Sequence, residues 1–299
     1  MVTKIEWCEE TWNPITGCTP ISEGCKNCYA KRMANRLKGR YGYPKKNAFQ
    51  VTYHPDRLDQ PLKWRKPRKV FVCSMGDLFH SLVSEDIQVL LHEIMCKAEQ
   101  HTFMILTKRP ENMRRFYEFN HSKFNDAGNV WLGVTVETQD LANERIPVLL
   151  QIPAAVRFVS YEPAIGAIDL DNIRFDRYLR GSVLSGAALS RIAAGQMIPN
   201  ATVPTLDWVI AGGESGPGAR PAYPSWFRLV RDQCKAAGVP FFFKQWGNSC
   251  LASQLPEDTC QRVDAAQNLG NQPDAFWAVG KKAAGRLLDG VEHNEMPGL

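Results

Sequence analysis

The sequence predicts an α/β fold, a partial or full (β/α) barrel of the TIM-like kind with mainly parallel strands, and three observations carry that expectation. Short apolar runs rich in β-branched and aromatic residues recur along the chain, helix-period patterns fall between them, and polar residues gather where each run ends. At 299 residues, 44% of them hydrophobic and 22% charged, the chain can bury a sizeable core. The same composition excludes a disordered tail, a collagen-like repeat and a coiled coil.

The strands are expected at 70–73, 103–106, 130–136, 156–159, 208–211 and 240–243, because continuous apolar runs bounded by polar turns suit strands buried on both faces. Ile87, Leu90, Leu91, Ile94 and Met95 follow the helical rhythm after Ser84, Glu85 and Asp86, which supply a cap and acidic first-turn residues. Phe227, Val230 and Cys234 repeat that rhythm before Gly238 and Pro240, a helix stop followed at once by a strand. Residues 171–206 interrupt the alternation and read as an excursion, and 251–299 read as a C-terminal extension with one helical candidate at 281–288. The expected organisation is a barrel domain over 1–250 followed by that extension.

Parallel barrels place their chemistry at the C-terminal ends of the strands. Those ends read Ser74-Met75-Gly76-Asp77, Thr107-Lys108-Arg109, Thr135-Val136-Glu137, Ser160-Tyr161-Glu162, Gly212-Gly213-Glu214-Ser215 and Lys244-Gln245-Trp246. The glycine stretch at 212–218 fits neither a nucleophile elbow nor a dinucleotide fingerprint, and no P-loop lysine follows it. No run approaches ~18 apolar residues and residues 1–7 lack a signal-peptide pattern, so the chain reads as cytoplasmic, without a membrane partner.

The sharpest motif is Cys18, Cys25 and Cys28 in a loop at 17–29, a C-x6-C-x2-C arrangement among Gly, Pro and polar residues. Three thiolates so close in sequence can face one inorganic centre. A 4Fe-4S cluster held by three cysteines keeps one iron open, and the amino and carboxylate groups of S-adenosylmethionine can occupy it. A structural zinc site is the competing reading, with Cys8 completing four thiolates. Cys73, Cys96 and Cys234 sit in apolar periodic segments and read as small core residues.

Charge is unevenly distributed. The net charge is +5, yet residues 26–69 hold fourteen Lys or Arg against Asp56 and Asp59. Lys45, Lys46, Arg65, Lys66 and Lys69, interleaved with Tyr43, Phe49 and Trp64, suggest a cationic surface with stacking faces for a nucleotide or nucleic acid.

Trp12-Asn13-Pro14, the three cysteines with Tyr29-Ala30, Ser74 to His80, Leu106 to Pro110, Leu132 to Glu137, Ser160 to Pro163, Gly212 to Pro221 and Phe241 to Gly247 together resemble a family of phage and prophage proteins of unknown function marked by a three-cysteine motif. That family looks like a divergent branch of the radical S-adenosylmethionine enzymes, although the usual spacing there is C-x3-C-x2-C. The resemblance implies a partial βα barrel with the cluster loop after the first strand, and Cys18, Cys25 and Cys28 as cluster ligands. It places Tyr29 beside the cofactor. Strand order then suggests Ser74 and Asp77 for the aminoacyl group or ribose, and Glu137 and Glu162 for hydroxyls or an ammonium. Gly212, Gly213 and Glu214 would form a turn that lets backbone N–H groups approach the cofactor. An electron-donor protein, and a further protein partner encoded nearby, are implied companions. Two functions follow as expectations: a radical enzyme modifying a nucleotide or nucleic acid, or a non-enzymatic nucleic-acid-binding protein with zinc on Cys8, Cys18, Cys25 and Cys28.

Overall fold

The computed structural model describes residues 3, 5–124, 127–191, 197–255 and 275–298. In chain order it begins with β1 (Glu10–Trp12), β2 (Ile15–Thr16), α1 (Tyr29–Arg36), β3 (Thr52–Tyr53), β4 (Lys69–Val72), α2 (Glu85–Lys97), β5 (Thr102–Thr107), α3 (Pro110–Phe119), α4 (His121–Phe124) and β6 (Val130–Thr135). It continues with α5 (Gln139–Leu149), β7 (Arg157–Tyr161), β8 (Ile173–Arg174), β9 (Leu179–Gly181), β10 (Ala187–Arg191), β11 (Met197–Thr202) and β12 (Trp208–Gly212). The last elements are α6 (Pro224–Ala237), β13 (Phe241–Gln245), β14 (Cys250–Leu251), β15 (Phe276–Trp277) and α7 (Lys281–Ala284). Seven strands make one parallel sheet in the order β1-β4-β5-β6-β7-β12-β13, so the expected α/β class holds and the barrel is partial. The chain folds as two compact units, Met1–Thr135 with Arg145–Phe158, and Val136–Glu144 with Val159–Leu299.

In the first unit β4 lies between β1 and β5, with Val70 opposite both Glu10 and Phe103, and β5 continues to β6. All six residues of β6 are buried, the pattern that apolar runs produce when both faces of a parallel strand are covered. Gly133 is required there because a Cβ would lie 2.5 Å from the Phe158 ring. The first strand escapes the apolar-run criterion because Glu10-Thr11-Trp12 has one apolar residue. Trp12 anchors it: the ring is fully buried 5.9 Å from that of Phe103, and Nε1 donates to the Arg57 carbonyl at 2.8 Å.

Helix α2 forms where expected and buries Leu91, Ile94 and Met95 of its apolar rhythm, but its buried face also takes in Gln88 and His92 while Leu90 is exposed. Hydrogen bonding explains the two polar additions. Gln88 Nε2 donates to the Leu78 and Val83 carbonyls at 3.3 Å, and His92 bonds Tyr117 through Nε2 at 2.8 Å. These buried polar groups find partners only on that face.

In the second unit β12 and β13 pair in parallel, with Val209 opposite Phe241. Helix α6 buries Phe227, Val230 and Cys234 as its periodicity requires, and Gly238 ends it with φ +70, a left-handed cap that suits glycine. The excursion is more ordered than its composition suggests: β8 to β11 form an antiparallel sheet in the order β11-β10-β9-β8, with 192–196 outside the described residues. Strands of two to six residues with mixed polarity leave little periodic signal. From the C-terminal extension, of which 256–274 lie outside the described residues, α7 is shorter than the expected helix. Beyond it the Phe243 N–H donates to the His293 carbonyl at 3.0 Å and the Glu295 N–H to that of Phe241 at 3.3 Å, covering the free edge of β13. Among the described residues no helix is long and apolar enough to cross a membrane.

Candidate functional site

The cysteine loop begins where β2 ends, and two glycines fix its entry. Gly17 has φ +84, its N–H donates to the Met75 carbonyl at 2.9 Å, and a Cβ there would stand 2.0 Å from the Gln50 carbonyl oxygen. Gly76 is tight on the other side, with its Cβ position 3.0 Å from the Ile15 oxygen. The loop start is thereby pressed against the turn that follows β4. Cys25 ends a single 3-10 turn (Glu23–Cys25), and Cys28 stands at the N-cap of α1. Cys18 and Cys28 lie half-buried against a small core of Ala30, Ala34, Tyr43, Ala48 and Phe49. Tyr29, the first residue of α1, is half-exposed, and its hydroxyl donates to the Ser74 carbonyl, so the helix start is tied to the same turn.

That turn and the end of β5 carry a connected polar network. Asn13 Oδ1 accepts from the Met75 N–H at 2.8 Å and from Ser74 Oγ at 3.2 Å. The buried Asp77 carboxylate accepts from the Phe79 N–H at 3.0 Å, Thr107 Oγ at 2.8 Å and Arg109 Nη1 at 2.9 Å. The same Nη1 lies 3.3 Å from Cys18 Sγ, while Nη2 donates to the Thr19 carbonyl at 2.9 Å and to Thr19 Oγ at 3.1 Å. His80 Nδ1 accepts from the Leu82 N–H at 3.1 Å, which leaves the ring proton on Nε2 to be donated to Thr19 Oγ at 2.9 Å. Ser74, Asp77, Tyr29 and the cysteine loop are therefore linked by direct hydrogen bonds. Arg109, Thr19, His80 and Asn13 were not singled out as site residues, although Thr107-Lys108-Arg109 was legible as a polar strand end.

The thiols are not equivalent. Burial and the nearby Asp77 charge push Cys18 up to about 11, against the opposing pull of Arg109. Burial also acts on Cys25, but the Lys108 charge, the Ile21 and Ser22 backbone N–H groups and the Ser22 hydroxyl outweigh it and hold that thiol below its ordinary value. Cys73 is fully buried in the strand-end turn and pushed up to about 12 by that burial.

Three partly exposed thiols on one loop are a donor set that a metal centre can take. Tetrahedral zinc at ~2.3 Å from each sulfur needs the thiolates within about 4 Å of one another. Among the described residues no three His, Cys, Asp or Glu are grouped to hold a single ion. Cys8 does not belong to the loop: Glu9 donates to the Lys69 carbonyl at 2.9 Å at the start of β1 and β4, whereas Gly17 meets Met75 beyond their far ends. Strand β1, Glu10–Trp12, intervenes between Cys8 and the loop. Cys8 thus precedes β1, at the end of the strand opposite to the cysteine loop, and that placement does not favour the competing four-cysteine zinc reading.

The remaining strand-end residues lie in the second unit and form their own groups. Glu137 is fully buried, and its carbonyl accepts from the Ile165 and Gly166 N–H groups at 3.0 and 3.2 Å. Glu162 takes Lys244 Nζ on both oxygens at 2.8 Å and Gln245 Nε2 at 3.2 Å. Glu214 accepts from the Arg220 backbone N–H and Nε at 2.9 Å, and from Nη2 at 2.6 Å, closing the loop between them. Gly213 is needed for packing, because its Cβ position is 1.9 Å from the Trp246 oxygen, and its N–H already donates to the Gln245 carbonyl at 2.9 Å. Gly212 has ordinary clearance, 3.4 Å to the Gln245 oxygen.

The basic segment divides between two ends of the first unit. Lys45 and Lys46 are exposed on the turn that supplies Tyr43, Ala48 and Phe49 to the core behind the cysteines. Trp64, Arg65, Lys66 and Lys69 sit at the start of β4, at the other end of the strand. The expected stacking rings are engaged: Tyr43 and Phe49 are buried, and Trp64 is packed by Arg68 at 5.5 Å and His101 at 5.6 Å.

The chain belongs to the family described as Protein of unknown function (DUF5131), whose model matches residues 2–297. No curated protein matches it. Among solved structures it is similar to a chain described as spore photoproduct lyase complexed with dinucleoside spore photoproduct, at 14% identity and a TM-score of 0.33. That match covers 51% of this chain and 45% of the other, less than half of its length.

Proposed function

We propose, for a family whose description assigns no activity, that this chain is a radical S-adenosylmethionine enzyme in which Cys18, Cys25 and Cys28 hold a 4Fe-4S cluster. When bound, cluster and S-adenosylmethionine would supply a 5′-deoxyadenosyl radical able to take hydrogen from an unactivated carbon. The observation that carries this reading is the cysteine loop itself: three partly exposed thiols on one glycine-pinned loop, at the C-terminal ends of parallel strands. Buried structural cysteines would be packed away, whereas these three are partly exposed.

The chain's own residues have defined tasks. Gly17 and Gly76 allow the loop to lie against the strand-end turn, and Tyr29 ties α1 to the Ser74 carbonyl. Asp77 acts by orienting Arg109, because its oxygens are engaged by Thr107, Arg109 and the Phe79 N–H. Metal ligation releases the thiol protons, which Cys25 gives up more readily than Cys18.

For the substrate, Lys45 and Lys46 beside the core behind the cysteines favour an anion, a nucleotide or nucleic acid, over the patch at the start of β4. The test is anaerobic: reduced, reconstituted protein should cleave S-adenosylmethionine to 5′-deoxyadenosine and methionine. A protein that carries the cluster yet leaves the cofactor intact, with reductant in excess, refutes the enzymatic reading.

A further inference from the structure

Arg109 occupies an unusual position for a surface-loop arginine. Its side chain is one-tenth exposed, and a single guanidinium serves Asp77 at 2.9 Å, Thr19 at 2.9 and 3.1 Å, and Cys18 Sγ at 3.3 Å. The hold is braced from behind. Thr107 Oγ accepts from the Arg109 backbone N–H at 2.9 Å and donates to Asp77 at 2.8 Å, while His80 donates to the Thr19 hydroxyl on the opposite side. A planar fork with five N–H donors meets these four acceptors at once, one more than the three donors of an ammonium can serve.

We infer that Arg109 is a positioning residue that holds Cys18 in place and sets the reduction potential of a centre bound there. The inference rests on the cluster reading above. A fixed positive charge donating an N–H to a ligating sulfur stabilises the more negatively charged, reduced form, so it makes the centre easier to reduce. The neighbouring Lys108, whose charge acts on Cys25, adds to the same field. The end of β5 thus supplies cations to two of the three cysteines.

The test compares wild type, Arg109→Lys, Arg109→Ala and, as a control, Arg114→Ala, whose exposed side chain pairs with Glu111 and Glu118 on α3. Each is reconstituted anaerobically and titrated potentiometrically by the EPR signal of the reduced cluster. Arg109→Ala should shift the reduction equilibrium about tenfold towards the oxidised form, 59 mV more negative for one electron. Arg109→Lys should fall between that and wild type, and Arg114→Ala should match wild type. In the cluster-free proteins, trypsin should cut after Lys26 faster in both Arg109 variants, because the loop has lost its tether. If a variant keeps its fold by circular dichroism but takes up no cluster, the positioning role is supported. Unchanged potential and unchanged cleavage in Arg109→Ala overturn the inference while leaving the cluster reading intact, and unfolding of both variants overturns it in favour of a purely structural arginine. A wild-type protein that takes up no iron removes the reading on which it rests.

Discussion

Replacing Asp77 with alanine tests whether the polar network at the end of β4 is organised as described. The carboxylate is 6% exposed and its partner Arg109 11%, so removing the acid leaves a cation with few routes to water. Breaking a buried pair by deleting one partner costs about 3–5 kcal/mol, mostly the penalty of the uncompensated charge. At roughly 2–4 °C per kcal/mol for domains of this size, Asp77→Ala should lower the melting temperature of the cluster-free protein by about 6–20 °C. The double variant Asp77→Ala/Arg109→Ala removes the stranded charge as well, so its loss should be clearly smaller than the sum of the two single losses. Differential scanning fluorimetry on the four proteins at one pH measures both effects. A melting temperature for Asp77→Ala within ~2 °C of wild type, or strict additivity in the double variant, would refute the claim that the pair is a buried, mutually dependent unit.

Other consequences follow from particular contacts. Gly17→Ala combines the left-handed penalty of about 1–2 kcal/mol with a clash against the Gln50 carbonyl, and should lower both melting temperature and iron uptake. Lys244→Met should destabilise by about 1–3 kcal/mol, discounted because the Glu162 and Lys244 side chains are partly exposed, and Glu162→Gln should restore part of that loss in chemical denaturation. Burial holds His92 down to about 4, and burial with the Arg57 charge holds His54 at about 4. Between about pH 6.5 and pH 4 the unfolded chain therefore binds more protons than the folded one, and stability falls as the pH drops. His92→Phe should make the slope of melting temperature against pH shallower in that window. Lys45→Glu with Lys46→Glu should weaken single-stranded oligonucleotide binding and flatten its salt dependence, while Arg65→Glu with Lys66→Glu should do so far less. Equal effects of the two pairs would show that the patch near the cysteines has no special part.

The parallel sheet was legible because six of its strands are continuous apolar runs buried on both faces, and α6 because its apolar rhythm ends in a glycine cap. β1 was not, since its place depends on one residue, Trp12, whose partners Phe103 and Arg57 are distant in sequence. The face of α2 was legible at Leu91, Ile94 and Met95 but not at its margin, because periodicity counts Leu90 as apolar and Gln88 and His92 as polar, whereas tertiary hydrogen bonds bury the latter two. At the candidate site the cysteines were visible as a motif, and the turn at Ser74 to Asp77 as a polar strand end. Arg109 was harder to single out, because its importance comes from contacts 32 residues away with Asp77 and 91 residues away with Cys18. Cys8 shows the converse: it is near the loop in sequence, yet β1 stands between them, so nearness along the chain is a weak guide to a shared site.

The central claim is that Cys18, Cys25 and Cys28, and not Cys8, hold an iron-sulfur cluster, and iron and acid-labile sulfide analysis of anaerobically reconstituted protein tests it most directly. Wild type and Cys8→Ala should each bind about four irons and four sulfides, and Cys18→Ala, Cys25→Ala and Cys28→Ala should each lose them. A colourless wild-type protein with one tightly held zinc, lost on replacing Cys8, would contradict the account.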